Sequence, residues 1–500
     1  MMFKGKYWLK TCCLLLVLIS AASCNKWLDL KPSDGIIRQD YWKTKEQVKA
    51  AVIGTYASLL DDPTNKDKSL PELFFLWGEL RADMLAPSTG TLSEEFEVMN
   101  VNTVPSNTIT NWRPVYRTIN YCNTVIDFAP DVLNTDKTFT QEALDSYVAE
   151  AKAMRALMYF YLVRSFGDVP LKLKSTSSDE EIVTIAKSSQ QEVLAQILKD
   201  LNEAEPKISL TYGDNASDKG RITRYTVNAI QADVYLWMDK YDEAVAACNK
   251  VINSYRFGLL APSTAWYNTV YRTGNSTESL FEVQYNAQKL NDFFTMFGIS
   301  SRRFLAANKV MDQVYTSDPI YGQKDIRSDG VSVRAEDGVI WKYVGKNDKD
   351  LIAPGDSYSH WFVYRFADVL LMKAEALAQK GQGADALDIV KALRDNRNAL
   401  AGTDNNPDPA NVDEVSLFIL EERAREFMFE GKRWYDVLRY VKRNNYEHID
   451  YLQDMISSIV PANMVRTAQA KMLDHNSHYF PIYEYELQTN KALVQNPFYK

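Results

Sequence analysis

The chain reads as mainly α-helical, built from tetratricopeptide-like helix pairs with two long, loop-rich insertions that carry minor β structure. Three observations predict this. Apolar residues recur at spacings of three and four, most clearly at Leu144, Val148, Ala151, Met154, Met158 and Tyr161, which marks one buried helical stripe. Two segments of about 34 residues, Arg224–Tyr255 and Tyr364–Arg397, each break in the middle and carry a helical apolar face on both sides. Two further stretches, rich in Gly, Asn, Ser, Thr and Pro, show no such period.

In chain order, residues 1–23 form a leader. Lys4, Lys6 and Lys10 precede the apolar run Cys12–Ile19 and the small residues Ser20–Ser23, the order of a secretory signal. The run falls short of the roughly 20 residues that span a bilayer. Ala21-Ala22-Ser23-Cys24 matches a bacterial lipobox, with Ala21 where Leu is usual. An ordinary signal with a chance cysteine is the alternative. Lipid at Cys24 would hold the mature chain, residues 24–500 and expected as a single domain, at a membrane. Cys122 and Cys248 fall in helical apolar patterns and are expected as buried thiols.

Helix pairs are expected near 46–128, 142–204, 224–255 and 364–397. The first comprises Glu46–Leu60 and Arg113–Phe128, split by an insertion at 61–111. In the second, Glu142–Phe166 is stopped by Gly167 and Pro170, and Ser188–Ala204 follows. The third places Val227, Ile230, Val234 and Trp237 on one face and Ala244, Cys248 and Val251 on the other, with a break at Asp239–Asp242. The fourth turns at Lys380-Gly381-Gln382-Gly383. Such pairs must stack to bury their faces. The second insertion, 257–360, has β-like runs at Ser279–Tyr285 and Val339–Val344. Loops of this length inside a folded chain are usually functional.

Composition excludes several classes. A net charge of −8 leaves no basic footprint for nucleic acid, and five cysteines in 500 residues make no disulfide framework. Hydrophobic content of 46% is ordinary for a folded chain, whereas 29 Tyr, 21 Phe and 10 Trp are an aromatic surplus to be explained.

Dispersed motifs give the chain a family resemblance. Glu150-Ala151-Lys152-Ala153-Met154-Arg155-Ala156-Leu157-Met158-Tyr159-Phe160-Tyr161, continuing to Gly167-Asp168-Val169-Pro170-Leu171, resembles the signature helix of the SusD/RagB family. Asn25–Pro32 after the cysteine, Tyr116–Asn120, Arg365–Leu371 before Ala374-Glu375-Ala376, and Glu421–Phe427 leading to Glu430–Asp436 follow in the family's order. So do Tyr479-Phe480-Pro481-Ile482, Glu484 and Gln495-Asn496-Pro497, with Phe498 where the family usually has Gly. The resemblance implies a SusD-like fold with four tetratricopeptide-like pairs. It further implies a lipid-anchored protein on the outer membrane, facing the cell exterior as a lid over a SusC-like TonB-dependent transporter. There it would capture an oligosaccharide without catalysis and pass it inward. Peptide capture by the same scaffold, or a structural lid without a ligand site, are the alternatives. The signature motifs look like fold markers and transfer no substrate.

Trp and Tyr can meet the flat C–H face of a sugar while Asp, Asn and Arg meet its hydroxyl rim. The candidate ligand residues are therefore the loop aromatics and their polar neighbours: Trp77, Arg81 and Asp83 in the first insertion, and Tyr285, Asn286, Trp341 and Tyr343 in the second, with Trp266 and Trp361 at its margins. Each such ring could equally fill a core, because buried and exposed aromatics look alike in sequence. Trp237, Trp434, Tyr147 and Tyr161 lie in helical patterns and read as core, and Trp112 reads as packing.

Catalysis finds no support. The ladder Glu421, Glu422, Glu426 and Glu430 interleaves with Arg423, Arg425 and Arg433, which ion pairing explains. His475 and His478 have no accompanying ligand cluster, so no metal is expected. Gly381 and Gly383 follow a helix and not the strand a dinucleotide loop needs, so no cofactor is expected.

Overall fold

The computed structural model describes residues 41–60, 67–176, 184–263, 265–316 and 324–500. The leader, Cys24 and the Asn25–Pro32 motif lie outside the described residues. Helix α1 (Lys45–Leu60) opens the described chain, the first insertion contributes α2 (Leu70–Glu79) and α3 (Ser93–Met99), and α4 (Arg113–Phe128) packs back on α1. The long α5 (Gln141–Phe166) packs on α4 and pairs with α6 (Gln190–Ala204). Next come the pair α7 (Arg224–Trp237) and α8 (Tyr241–Ile252), then α9 (Phe366–Gln379) and α10 (Gly383–Asn396), with α8 packed on α9. Helices α11 (Val412–Glu426), α12 (Arg433–Tyr446), α13 (Ile449–Ile459) and α14 (Val465–Met472) follow, ahead of a short C-terminal helix at Glu484–Thr489.

Local chemistry sets the ends of these helices. Thr140 caps α5 by accepting the Ala143 N–H, and Asn411 caps α11 by accepting those of Asp413 and Glu414. Ser189 and Glu192 form a reciprocal capping box at α6. Gly167, at φ +74°, ends α5 in a left-handed conformation that a side chain would strain. Cys122 and Cys248 are buried, and desolvation pushes the Cys122 thiol up to about 12.

The insertions differ from the expectation of loops. The first holds α2, every residue of which is buried, capped by the Ser69 hydroxyl, which accepts the Glu72 N–H. Strand β1 (Leu85–Pro87) leaves it to pair antiparallel with β3 (Phe304–Ala306) of the second insertion, Leu85 opposite Ala306. Strand β2 (Ser279–Val283) pairs with β4 (Trp361–Arg365), which runs straight into α9. The two insertions thus pack on each other and on the helices. Where they meet, the rings of Phe293, Tyr343 and Trp361 lie within 4.4–6.0 Å of one another, and Phe75 of α2 packs edge-on to Trp361.

A buried ion network ties the second insertion to α11. Glu426 accepts from Arg327 at 2.9 Å, from Arg397 at 3.0 Å and from Arg365. Glu422 accepts from Arg327 at 2.6 Å and Arg394 at 2.7 Å, and Glu430 from Arg365 and Lys342, both at 2.9 Å. The carboxylate ladder is therefore structural: Glu422, Glu426 and Glu430 are buried against arginines, and only Glu421 reaches the surface, where Asn405 donates to it at 2.9 Å. Burial raises the Glu422 carboxyl, but Arg327, Arg425 and Arg394 outweigh burial and hold it down at about 2. Asp368 is likewise at about 2, with Lys432 and Arg423 outweighing burial. Both folded values lie below the usual carboxylate value, so the stability they contribute is complete above about pH 4.5 and is lost as pH falls towards about 2. The thermal unfolding midpoint should drop across that window, and less steeply in Glu422→Gln.

Candidate functional site

The structure places most of the sequence-predicted ligand residues in the core. Trp77, Trp341 and Tyr343 are fully buried, and Trp266 and Trp361 nearly so. Their polar atoms are committed inside: Trp77 Nε1–H donates to the Ile109 carbonyl at 2.8 Å, Trp341 Nε1–H to that of Asn347 at 2.6 Å, and the Tyr343 hydroxyl to that of Phe429 at 2.8 Å. A ring with no exposed face cannot stack on a sugar, which corrects the reading of these residues as a ligand surface. Asp83 is also buried, clasped by Arg433 at 2.9 and 3.1 Å and by Lys309 at 2.6 Å. Arg81 lies under the Trp434 and Phe480 rings, and Tyr285 is buried. Asn286 alone of the set is exposed; its Oδ1 accepts the Gln288 and Lys289 N–H groups and closes a turn. The expected core residues Trp237, Trp434, Tyr161 and Trp112 are buried, and Tyr147 is half-buried.

An open cleft of about 400 Å³ lies elsewhere, between the start of the first insertion, the turn before α4 and the C-terminal segment. Its walls are Asp67, Lys68, Thr108, Asn111, Arg113, Tyr483, Tyr485 and Glu486. Local structure positions each wall. Asn107 caps the 3₁₀ turn Thr108–Thr110 by accepting the Ile109 N–H, and Asn111 Oδ1 accepts the Arg113 N–H at 3.0 Å as α4 begins. Arg113 then reaches across to Asp67 through Nε at 3.1 Å and Nη2 at 2.6 Å. The C-terminal segment is held by the Glu484 N–H, which donates to the Pro105 carbonyl at 2.8 Å, and by the short helix Glu484–Thr489.

The chemistry of this cleft fits a polyhydroxylated ligand. Tyr485 is 52% exposed, an aromatic face available to solvent. Around it stand a guanidinium, an ammonium, a carboxamide and two carboxylates, donors and acceptors for a hydroxyl rim. Burial raises the Glu486 carboxyl, with a hydrogen bond from Trp112 and the charge of Arg113 acting against it. The volume lies within the range of small-ligand sites. Sequence reasoning missed these residues because Tyr483–Glu486 sits among the C-terminal motifs and reads as a fold marker.

His475 and His478 pack against their neighbours. The ring of His475 stacks on Tyr446 at 3.5 Å, and His478 Nε2 meets the Met472 carbonyl at 2.8 Å. Among the described residues no group of three or more His, Cys, Asp or Glu is placed to hold a metal ion. No described helix is long and apolar enough to cross a membrane.

Comparison with known proteins follows the same lines. Residues 26–236 match a family described as starch-binding and associating with the outer membrane. SusD-like protein P38 of Formosa agariphila is 28% identical over 474 residues, covering 85% of this chain and 90% of its own. SusD-like protein P2 of the same organism is 26% identical over 85% of this chain and 89% of its own. A SusD superfamily protein from Bacteroides vulgatus superposes with a TM-score of 0.75 at 21% identity, over 92% of this chain and all of that one. A laminarin-binding SusD-like protein does so with a TM-score of 0.67 at 21% identity, over 91% of this chain and all of that one. With residues 138–499 matching the SusD family itself, on a fold of stacked helix pairs that its solved members share, the chain belongs to the SusD family.

Proposed function

We propose that the protein captures an oligosaccharide at the cell surface without catalysis and delivers it to a SusC-like TonB-dependent transporter, held to the outer membrane by lipid at Cys24. The observation that carries the ligand class is the cleft: an exposed Tyr485 set beside Arg113, Asp67, Lys68 and Asn111 offers a stacking face with a hydrogen-bonding rim. Family membership supports it, as does the outer-membrane description matched by residues 26–236. A solved structure of the same fold is a laminarin-binding protein, so the fold admits a glycan ligand.

Affinity electrophoresis and calorimetry of the protein against plant, microbial and host glycans test the reading. One glycan class should bind, and Tyr485→Ala should weaken it by about 1–2 kcal/mol, roughly five- to thirtyfold, as expected for loss of a stacked ring. Binding of peptides with no response to any glycan would replace the ligand class. For the anchor, Cys24→Ala should move the protein from the membrane to the soluble fraction, since each acyl CH₂ contributes about 0.8 kcal/mol of membrane affinity. Co-purification with a TonB-dependent barrel from the native membrane tests the transporter partnership.

A further inference from the structure

The charges around the Tyr485 cleft do not balance. Its walls carry two cations, Lys68 and Arg113, and both are already met. Arg113 gives Nε and Nη2 to the two oxygens of Asp67, at 3.1 and 2.6 Å, and its charge also faces Glu486. Lys68 Nζ lies 3.4 Å from Glu72 Oε1, and its charge also acts on Glu94 and Glu95. Behind the wall, the Thr108 hydroxyl donates to Glu94 Oε1 at 3.3 Å. Arg303 is the further cation that these acids share, and it is spent on Glu72 and Glu95, both at 2.7 Å. Asp67, Glu72, Glu94, Glu95 and Glu486 thus outnumber Lys68, Arg113 and Arg303 among the described residues, and the site is net negative.

The excess acid reaches the cleft itself. Burial raises the Glu486 carboxyl against a hydrogen bond from Trp112 and against Arg113, the one charge that acts on it among the described residues. Arg113 is committed to Asp67, so Glu486 has no cation of its own. The Arg113 side chain is 48% exposed and keeps Nη1 for a ligand hydroxyl. A hydroxyl needs no more than one donor. A carboxylate or sulfate is best met by a fork of two, and the Arg113 fork already holds Asp67. To enter, an anion would displace Asp67 from Arg113 or lie beside Glu486 with its charge unmet, and either costs binding.

We propose that the cleft selects uncharged glycans and turns away uronic and sulfated ones, with Glu486 on its wall and Glu94 behind Thr108 setting the selection. The inference rests on the reading of the cleft as the glycan site and names the class of glycan. Repulsion acts here as a filter and not as a source of affinity. A neutral sugar meets Tyr485 and the hydrogen-bonding rim unopposed, while an acidic sugar of the same shape makes those contacts against a like charge. The chain's net charge of −8 adds to the field that an acidic ligand must cross.

Calorimetry of the full-length protein with gluco-, galacto- and manno-oligosaccharides, each paired with its counterpart oxidised at the primary hydroxyls to the uronic acid, tests it. For a glycan that binds, the oxidised partner should bind more weakly by about tenfold at about 10 mM salt. The ratio should narrow to about threefold or less at about 1 M, as the screening length falls from about 30 to about 3 Å. Loss of a primary-hydroxyl contact would also weaken binding, but by a ratio that salt does not move. Glu486→Gln should raise the affinity for the oxidised glycan, relative to the neutral one, by about fivefold. Because Glu486 also meets Trp112, Glu94→Gln supplies a second variant, which should shift the same ratio in the same direction by about twofold. The inference is overturned, with glycan capture left standing, if an oxidised glycan binds as well as its neutral partner, if the ratio ignores salt, or if both variants keep the native ratio. No response to any glycan of either kind overturns the reading of the cleft and the inference with it.

Discussion

Glu426→Gln is expected to destabilise the protein by about 3–5 kcal/mol, the cost of removing one partner from a buried ion cluster. Glu426 is the shared acceptor of Arg327, Arg365 and Arg397, and the side chains of Arg365 and Arg397 have no exposure. Neutralising it leaves these guanidiniums facing one another in a low-dielectric interior, with Glu422, Glu430 and Glu278 already shared among them. Glu421→Gln, five residues earlier on α11, changes a carboxylate that reaches solvent and should move stability by no more than about 0.5 kcal/mol. Urea unfolding midpoints of the two variants check this. Similar shifts in both would mean that the network contributes little.

Gly78→Ala is the second large effect, expected at about 2–4 kcal/mol of destabilisation. Alanine in a helix interior ordinarily gains about 1 kcal/mol over glycine. Here a Cβ on Gly78 would lie 1.9 Å from the carbonyl oxygen of Gly431, so α2 or the turn before α12 must shift. That turn cannot yield cheaply. The Gly431 and Lys432 N–H groups donate to Glu79 Oε1 at 2.8 and 3.3 Å, and Gly431 itself sits at φ +70°. The clash outweighs the propensity. Gly54→Ala on α1 has open space around it and should be neutral or stabilising by up to about 1 kcal/mol. Opposite signs in thermal unfolding of the two variants are the expected outcome.

Much of the helical scaffold was legible in the sequence. The expected Arg113–Phe128 matches α4 residue for residue, and Glu142–Phe166 differs from α5 by one. Of the helix-pair turn expected at Lys380–Gly383, residues 380–382 separate α9 from α10, which begins at Gly383, and Gly381 is at φ +74°. The ladder on α11 was readable as ion pairing, but not its partners. Arg327 comes from the second insertion, Arg365 from the end of β4 at the start of the fourth pair, and Arg397 from the end of that pair, brought to Glu426 by the fold.

The ligand residues were not legible, and the reason is specific. Trp77, Trp341 and Tyr343 lie in stretches with no apolar period, which made them look like surface loops. Their burial comes from long-range pairing, with Leu85 opposite Ala306 in the β1–β3 ladder and Phe75 against Trp361. The cleft is equally non-local: it joins residues 67–68, 108–113 and 483–486, and no local pattern links them.

What the sequence determined by itself is therefore the helical scaffold and the family, because period, caps and turn glycines act over a few residues and survive in any context. Tertiary structure alone decided which aromatics face solvent and which arginines have a counter-ion. A tyrosine is the same residue in a core and on a cleft wall, and of two buried arginines Arg433 clasps Asp83 while Arg81 meets the His478 carbonyl and the Phe480 ring and, among the described residues, no carboxylate.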